Sequence, residues 1–350
     1  MAGVSRSGAH TTTNRQAACP KGADILTCME RLAANGLEPR LGGGTLEVAR
    51  RLCGVQAQDA RAARLAIRAR TEGLTAADVD AERAVVRTWA WRGTLHLLAR
   101  EDVAWALSLV APGANRSVAA PWRALELDDA VYERARAVLV ERLATSPATR
   151  AQLRSALASG GIDASGQRLP HLVRRAALEG LLHHPLDGTF AALELPDPPS
   201  REEALAELGR RHAAGYGPTT AADLAAFSGL PAREVRAAWT AAEQGATGDG
   251  ARFVRLLGSF DPYLLGYKGR DHVVAPEHAR RVWPGGGWLH PVVLADGMAA
   301  GTWRLDGAEL RVEAFGEIPG EALEAEAQDL ARFLGGADIA VSVAGSGSAG

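Results

Sequence analysis

The chain has 350 residues, 47% of them hydrophobic and 23% charged, which suits a globular protein of two or three compact units with a sizeable core. No apolar run reaches the roughly 18 residues of a membrane helix, and the first 22 residues lack the apolar stretch of a signal peptide. A cytoplasmic location is expected, with residues 1–22 disordered. Cys19, Cys28 and Cys53 have no CxxC spacing, and an iron–sulfur cluster within one chain would need four cysteines. Cys28 and Cys53 lie among apolar residues and read as small core side chains. The formal net charge is only −2, but it is unevenly spread. Residues 1–110 carry 15 Arg and Lys against 11 Asp and Glu, whereas residues 201–350 carry 14 against 20. Such a split allows a basic face without a basic whole. Arginine supplies nearly all the cations, the lysines being Lys21 and Lys268. That bias suits phosphate contacts, but drift in base composition is the better explanation of it.

The spacing of apolar residues predicts a helix over 24–34 and a second one beginning at a capping Thr45, with Leu46, Ala49, Leu52 and Cys53 on one face. A third helix follows in DARAARLAIRAR. VVRTWAWRGTLHLL then reads as two strands turning near Arg92-Gly93. Three helices followed by a β-ribbon is a winged-helix outline. It returns at 147–195, where Thr149 caps a helix, RLPHLVRRAALEGLLHH forms another, and a hairpin turns at Asp187-Gly188. A third occurrence lies at 217–257: Thr220 caps one helix, Gly229 ends it, Pro231 opens the next, and Val235 and Trp239 anchor it. The turns Asp296-Gly297 and Asp306-Gly307 mark a meander, and a helix follows at about 319–334.

The expected fold is therefore mainly α with β: three tandem winged-helix units plus a C-terminal β-rich part. Its divisions are a first unit at 23–110, a helical connection at 111–145, a second unit at 146–200 and a third at 201–257. A β-rich part with its helix follows at 258–343, and then a disordered tail at 344–350. There is no phosphate-binding glycine loop and no GxSxG elbow. His171, His183 and His184 lack suitably spaced carboxylates, so no metal is expected.

Helix–turn–helix units serve DNA binding and protein interaction about equally, so the motifs must decide. LCGVQAQDAR, RGTLHLL, FDPYLLGYKGR and PVVLADGMAAGTWR occur in this order. With them the chain, from about 24 to 335, resembles the bacterial winged-helix family of the DNA glycosylases AlkZ and YcaQ. Gln56-Ala57-Gln58 matches the Gln-apolar-Gln motif of the AlkZ-like branch; the other branch has Gln-apolar-Asp. The resemblance implies hydrolysis of the N-glycosidic bond of N7-alkylated purines, including unhooking of interstrand crosslinks. It also implies a barrel-like form for the C-terminal β-rich part, a positively charged body and a hairpin that probes the lesion. The hairpin here carries no arginine at its tip.

Two amides suit that chemistry. An N7-alkylated purine is cationic and leaves as a neutral base without a general acid. What remains is to orient a water against C1′ and stabilise an oxocarbenium-like sugar, which a glutamine carbonyl can do. Gln56 and Gln58 are the candidate catalytic pair, with an extended backbone placing both on one face; the competing reading has them capping backbone groups in a turn. If the segment were helical, Asp59 would instead share a face with Gln56.

Candidate DNA contacts are Arg61, Arg64 and Arg68, one helical stripe that reads more readily as a solvated face, with Arg92 and His96 in the first ribbon and Lys268 and Arg270 near Asp261 and Tyr263. His96 also reads as a core histidine, and the FDPYLLGYKGR motif as an acid–arginine brace. The expected partner is double-stranded DNA containing alkylated purines, bound by a monomer that needs no cofactor. A winged-helix DNA-binding protein or regulator without turnover is the alternative.

Overall fold

A computed structural model describes residues 25–117, 119–239, 253–336 and 338–345. The segments expected to be disordered, 1–22 and most of 344–350, lie outside these residues, as do Cys19 and Lys21.

Helices α1 (Ile25–Ala34), α2 (Thr45–Arg51), α3 (Ala60–Arg68) and α4 (Ala76–Ala81) surround a three-stranded sheet. Its strands β1 (Val55–Gln56), β2 (Val85–Trp89) and β3 (Leu95–Ala99) lie in the order β1-β3-β2, all antiparallel. Thr45 does not cap α2: it is the first helical residue and is buried, and Gly44 precedes it without a side-chain cap. Asp59 caps α3 instead, its carboxylate accepting from the Ala62 amide at 2.9 Å. That satisfies one of the amides a helix start leaves free.

Helices α5 (Val103–Ser117), α6 (Ala119–Ala124) and α7 (Asp129–Thr145) lead to α8 (Arg150–Ser159) and α9 (Arg168–Leu178). As expected, Thr149 caps α8, in a capping box with Gln152. A short hairpin follows, β4 (Leu182–His183) and β5 (Ala191–Ala192), with Asp187 and Gly188 in its turn. Then come α10 (Arg201–Tyr216), α11 (Ala221–Ser228) and α12 (Ala232–Trp239). Thr220 caps α11 with Asp223, and Gly229 ends it in the left-handed region, so the turn chemistry is the one foreseen.

The C-terminal part holds β6 (Val254–Leu257), α13 (Pro262–Leu265), α14 (Ala279–Val282), β7 (Val292–Ala295), β8 (Met298–Asp306), β9 (Glu309–Ala314), α15 (Gly320–Leu334) and β10 (Ala340–Ala344). The strands form one sheet, β10-β9-β8-β7-β6, with α15 packed against it. This sheet is open, with β6 and β10 as edges, so the barrel-like expectation is corrected. Strand β10 is a further correction: it pairs in parallel with β9 and includes Ala344, the first residue of the tail expected to be disordered. Strand β6, grouped by sequence with the third unit, hydrogen-bonds to β7.

Burial follows a different division from the local motifs. One core joins Leu52, Val55 and Trp91 of the first unit to Leu208, Tyr216 and Phe227 of α10 and α11 and to Tyr263 and Val292 beyond. The unit around α7–α9 has its own core, with Tyr132, Leu139, Leu153, Leu172 and Phe190. The face of the C-terminal sheet toward α15 has a third. No described helix is long and apolar enough to cross a membrane.

Candidate active site

The Gln-Ala-Gln segment follows a sharp turn. Cys53 and Gly54 both have positive φ, 52° and 103°. At Gly54 a Cβ would stand 2.6 Å from Leu98 Cδ2, so only glycine fits. The turn is pinned from two sides: Tyr216 Oη donates to the Leu52 carbonyl at 3.1 Å, and Trp91 Nε1 donates to the Cys53 carbonyl at 2.7 Å. The chain then runs extended along β3, Gln56 lying opposite His96 and the Ala57 amide donating to the Leu95 carbonyl at 2.7 Å. Ala57 is wholly buried, Gln56 is half-buried and Gln58 is exposed. The alternation places both glutamine side chains on the face opposite Ala57.

Each amide is held. Arg92 Nη2 donates to Gln56 Oε1 at 3.0 Å, and the Leu95 amide donates to Gln58 Oε1 at 2.9 Å. Each carbonyl oxygen keeps a second lone pair, and both NH2 groups can still donate. Asp59, by contrast, has its carboxylate engaged as the α3 cap. Both amides are thus fixed on one face with donors and acceptors to spare, and Gln58 also caps a backbone amide, as the competing reading expects.

Arg92 has an exposed stem, while its guanidinium reaches the carbonyls of Ala226 and Phe227 at the end of α11. Burial lowers its pKa, with a smaller push from the charge of Arg270; as an arginine it stays cationic.

His96 is a correction. It is 1% exposed, with Nδ1 against the Thr94 carbonyl at 3.0 Å. Burial, helped by the Arg92 charge, pushes its pKa down to about 3, so it is a neutral core residue and cannot meet DNA. The α3 stripe also divides. Arg61 is exposed, and Arg64 makes a two-bond pair with Asp80 at 2.7 and 2.9 Å. Arg68 is removed as a DNA contact: it is 1% exposed and bound to Glu326 at 2.7 Å and Asp329 at 2.9 Å. Lys268 and Arg270 are both exposed; Arg270 lies over the Trp283 ring at 4.7 Å. Asp261 is fully buried and pairs with Arg70, not with Arg270 in its own motif, through two bonds of 2.8 and 2.9 Å.

Sequence reasoning missed Arg87. It is 7% exposed on β2, and its Nε donates to the Ala57 carbonyl at 2.8 Å. Nη2 reaches the Gln58 carbonyl at 3.5 Å, and Nη1 reaches those of His184 and Pro185 at 3.4 Å. The Arg87 carbonyl in turn accepts from the His184 amide at 2.9 Å. One guanidinium thus ties the backbone of the glutamine motif to the base of the β4–β5 hairpin. The signal available was an arginine placed mid-strand in the apolar run VVRTW.

Among the described residues no group of three or more metal-ligating side chains comes together. The family model "DNA glycosylase AlkZ-like" matches residues 49–333. The chain is 30% identical over 369 aligned positions to the "Interstrand DNA cross-link repair glycosylase" of Streptomyces sahachiroi, covering 89% of this chain and 97% of that protein. The solved structure of the Streptomyces sahachiroi DNA glycosylase AlkZ superposes with a TM-score of 0.76 at 26% identity, covering 91% of this chain and 99% of that one. With the family match extending across the glutamine motif, the first sheet and the C-terminal meander, this chain belongs to the AlkZ-like family of DNA glycosylases.

Proposed function

We propose that this glycosylase hydrolyses the N-glycosidic bond of N7-alkylated, cationic purines in duplex DNA as a monomer, and that Gln56 and Gln58 are its catalytic residues. In this reading the units at 23–110, 146–200 and 201–257 are three tandem winged helices that carry the DNA. Opening of interstrand crosslinks belongs to the same reading, because the Streptomyces relative is named for it.

The observation that carries the reading is the pair of amides fixed on one face by Arg92 and by the Leu95 amide. The C1′–N9 bond breaks with its electron pair passing to the purine, which cancels the N7 charge, so no acid is required. The free lone pairs of the two carbonyls orient a water toward C1′ and oppose the positive charge developing on the sugar. The water oxygen bonds to C1′ and its proton passes to solvent. An amide is too weak a base to promote loss of an ordinary neutral base.

The test is incubation with a duplex containing one N7-methylguanine, followed by strand scission at abasic sites. Abasic sites at the methylated position, and none in the unmodified duplex, are expected. Binding without abasic sites would replace the enzyme with a non-catalytic DNA-binding protein.

A further inference from the structure

A cleft of about 310 Å³ opens beside the β2–β3 turn, bordered by Arg92, Gly93, Arg174, Arg201 and Gly229. Its three arginines differ in state. Arg92 is committed to Gln56 and two carbonyls. Arg201 is bound to Glu234 at 2.7 and 3.0 Å and to the Ser108 carbonyl at 2.7 Å. Arg174, on α9, is half-buried and has no hydrogen bond or ion pair with any described residue. Burial alone lowers its pKa.

An unpaired, half-buried guanidinium keeps its charge and its fork of donors for an incoming anion. Gly93 lets the guanidinium lie close against the β2–β3 turn. It sits at φ 72°, and a Cβ there would stand 3.0 Å from Arg174 Nη2, leaving bare backbone between that guanidinium and the Arg92 that braces Gln56. His171, one turn earlier on α9, adds no negative charge; burial, then the charge of Arg174, lowers its pKa.

We propose that Arg174 is a phosphate clamp, binding one phosphodiester of the DNA strand that crosses the Gly93 turn and so fixing the backbone beside Gln56 and Gln58. The proposal rests on the glycosylase reading of that site. The ligand is a backbone phosphate because the cleft adjoins the braced glutamine, where a DNA strand must pass for its sugar to be attacked. A fork of guanidinium donors matches two phosphate oxygens.

The experiment measures equilibrium binding of the full chain to a duplex with one N7-methylguanine over a salt series, for wild type, Arg174→Gln and Arg174→Lys. The same duplex is also made with single neutral methylphosphonates flanking the lesion. Arg174→Gln is expected to bind about fivefold more weakly and to lower the log–log salt slope by about one unit; Arg174→Lys should keep the slope. One methylphosphonate position should weaken wild type by a similar factor without weakening Arg174→Gln further. Equal slopes for wild type and Arg174→Gln, or the same methylphosphonate pattern in both, would overturn the clamp. Inorganic phosphate alone is the second arm. Stabilisation of wild type by it equal to that given by DNA, and lost in Arg174→Gln, would assign a free-phosphate site instead. If wild type leaves no abasic sites, the glycosylase reading fails while the binding result still decides the clamp.

Discussion

Two regions of the molecule use arginines in opposite ways. Where α3 meets the C-terminal part, each is matched by carboxylates: Arg68 by Glu326 and Asp329, Arg70 by Asp261. Around the glutamine motif, Arg87 and Arg92 meet only carbonyl and amide oxygens, and Arg174 meets no acceptor among the described residues. A guanidinium facing a carboxylate is electrically closed and serves packing. One facing carbonyls keeps its charge, so a chain of net charge −2 can still present a positive face at one place. The arrangement of acids, rather than the number of arginines, decides where that face lies.

The sharpest way to break this comparison is at the motif between the two regions. Gln58→Ala should lower single-turnover excision of N7-methylguanine by about 100-fold or more, the scale of losing one fixed polar group aimed at developing charge. DNA affinity should be unchanged. Asp59→Asn should stay within about threefold, because that carboxylate caps α3. Neither glutamine titrates and the leaving group is already charged, so the wild-type rate should be flat from about pH 6.5 to 9. A dead Asp59→Asn beside an active Gln58→Ala would transfer the role to the carboxylate.

The carboxylate-matched region answers to stability instead. Asp261→Asn strips the anion from a fully buried pair and should cost about 3–5 kcal/mol in urea unfolding, since it leaves Arg70 uncompensated. Replacing both partners with apolar residues of similar volume should recover most of that loss. A loss under about 1 kcal/mol for the single change would show that Arg70 is satisfied by Asn35 and the Ala66 carbonyl alone.

A smaller loss of rate than at Gln58 is expected at Arg87. Lysine keeps the charge but not the fork, so Arg87→Lys should slow excision about tenfold, on the scale of about 1.4 kcal/mol in the barrier, with binding unchanged. Amide exchange across 184–190 should rise at the same time. Faster exchange with an unchanged rate would make Arg87 a brace of the hairpin and not a positioning residue for Gln58.

Local chemistry was legible in the sequence at most places where neighbouring residues decide it, the cap expected at Thr45 being the exception. The caps at Thr149 and Thr220, the αL end at Gly229 and the turns at Arg92-Gly93 and Asp187-Gly188 all depend on a few adjacent residues. The extended backbone of the motif was legible too, because Gly54 interrupts the helical pattern. What could not be read are pairings across long separations. Nothing near Arg68 announces Glu326, and nothing near Arg70 announces Asp261. A helical stripe of arginines looks the same whether it faces solvent, a carboxylate or DNA. Strand β10 was missed because AVSVA is short and sits at an edge, its burial being slight. Arg87 was missed because its partners are carbonyls, which every residue has.

The ion cluster around Arg68 also sets the order in which the protein can be completed. Glu326 and Asp329 stand 258 and 261 positions after the arginine they neutralise. Arg40 and Arg255 converge on the same Glu326. A chain still being synthesised presents the glutamine motif early, yet α3, which follows it directly, has no counter-charge for its inward arginine until α15 emerges. Domains generally fold in order from the N-terminus as they are made. Here the inward arginine of the unit made first meets its counter-charges only with the last described helix, so the helix that follows the glutamine motif is fully braced only when nearly the whole polypeptide exists.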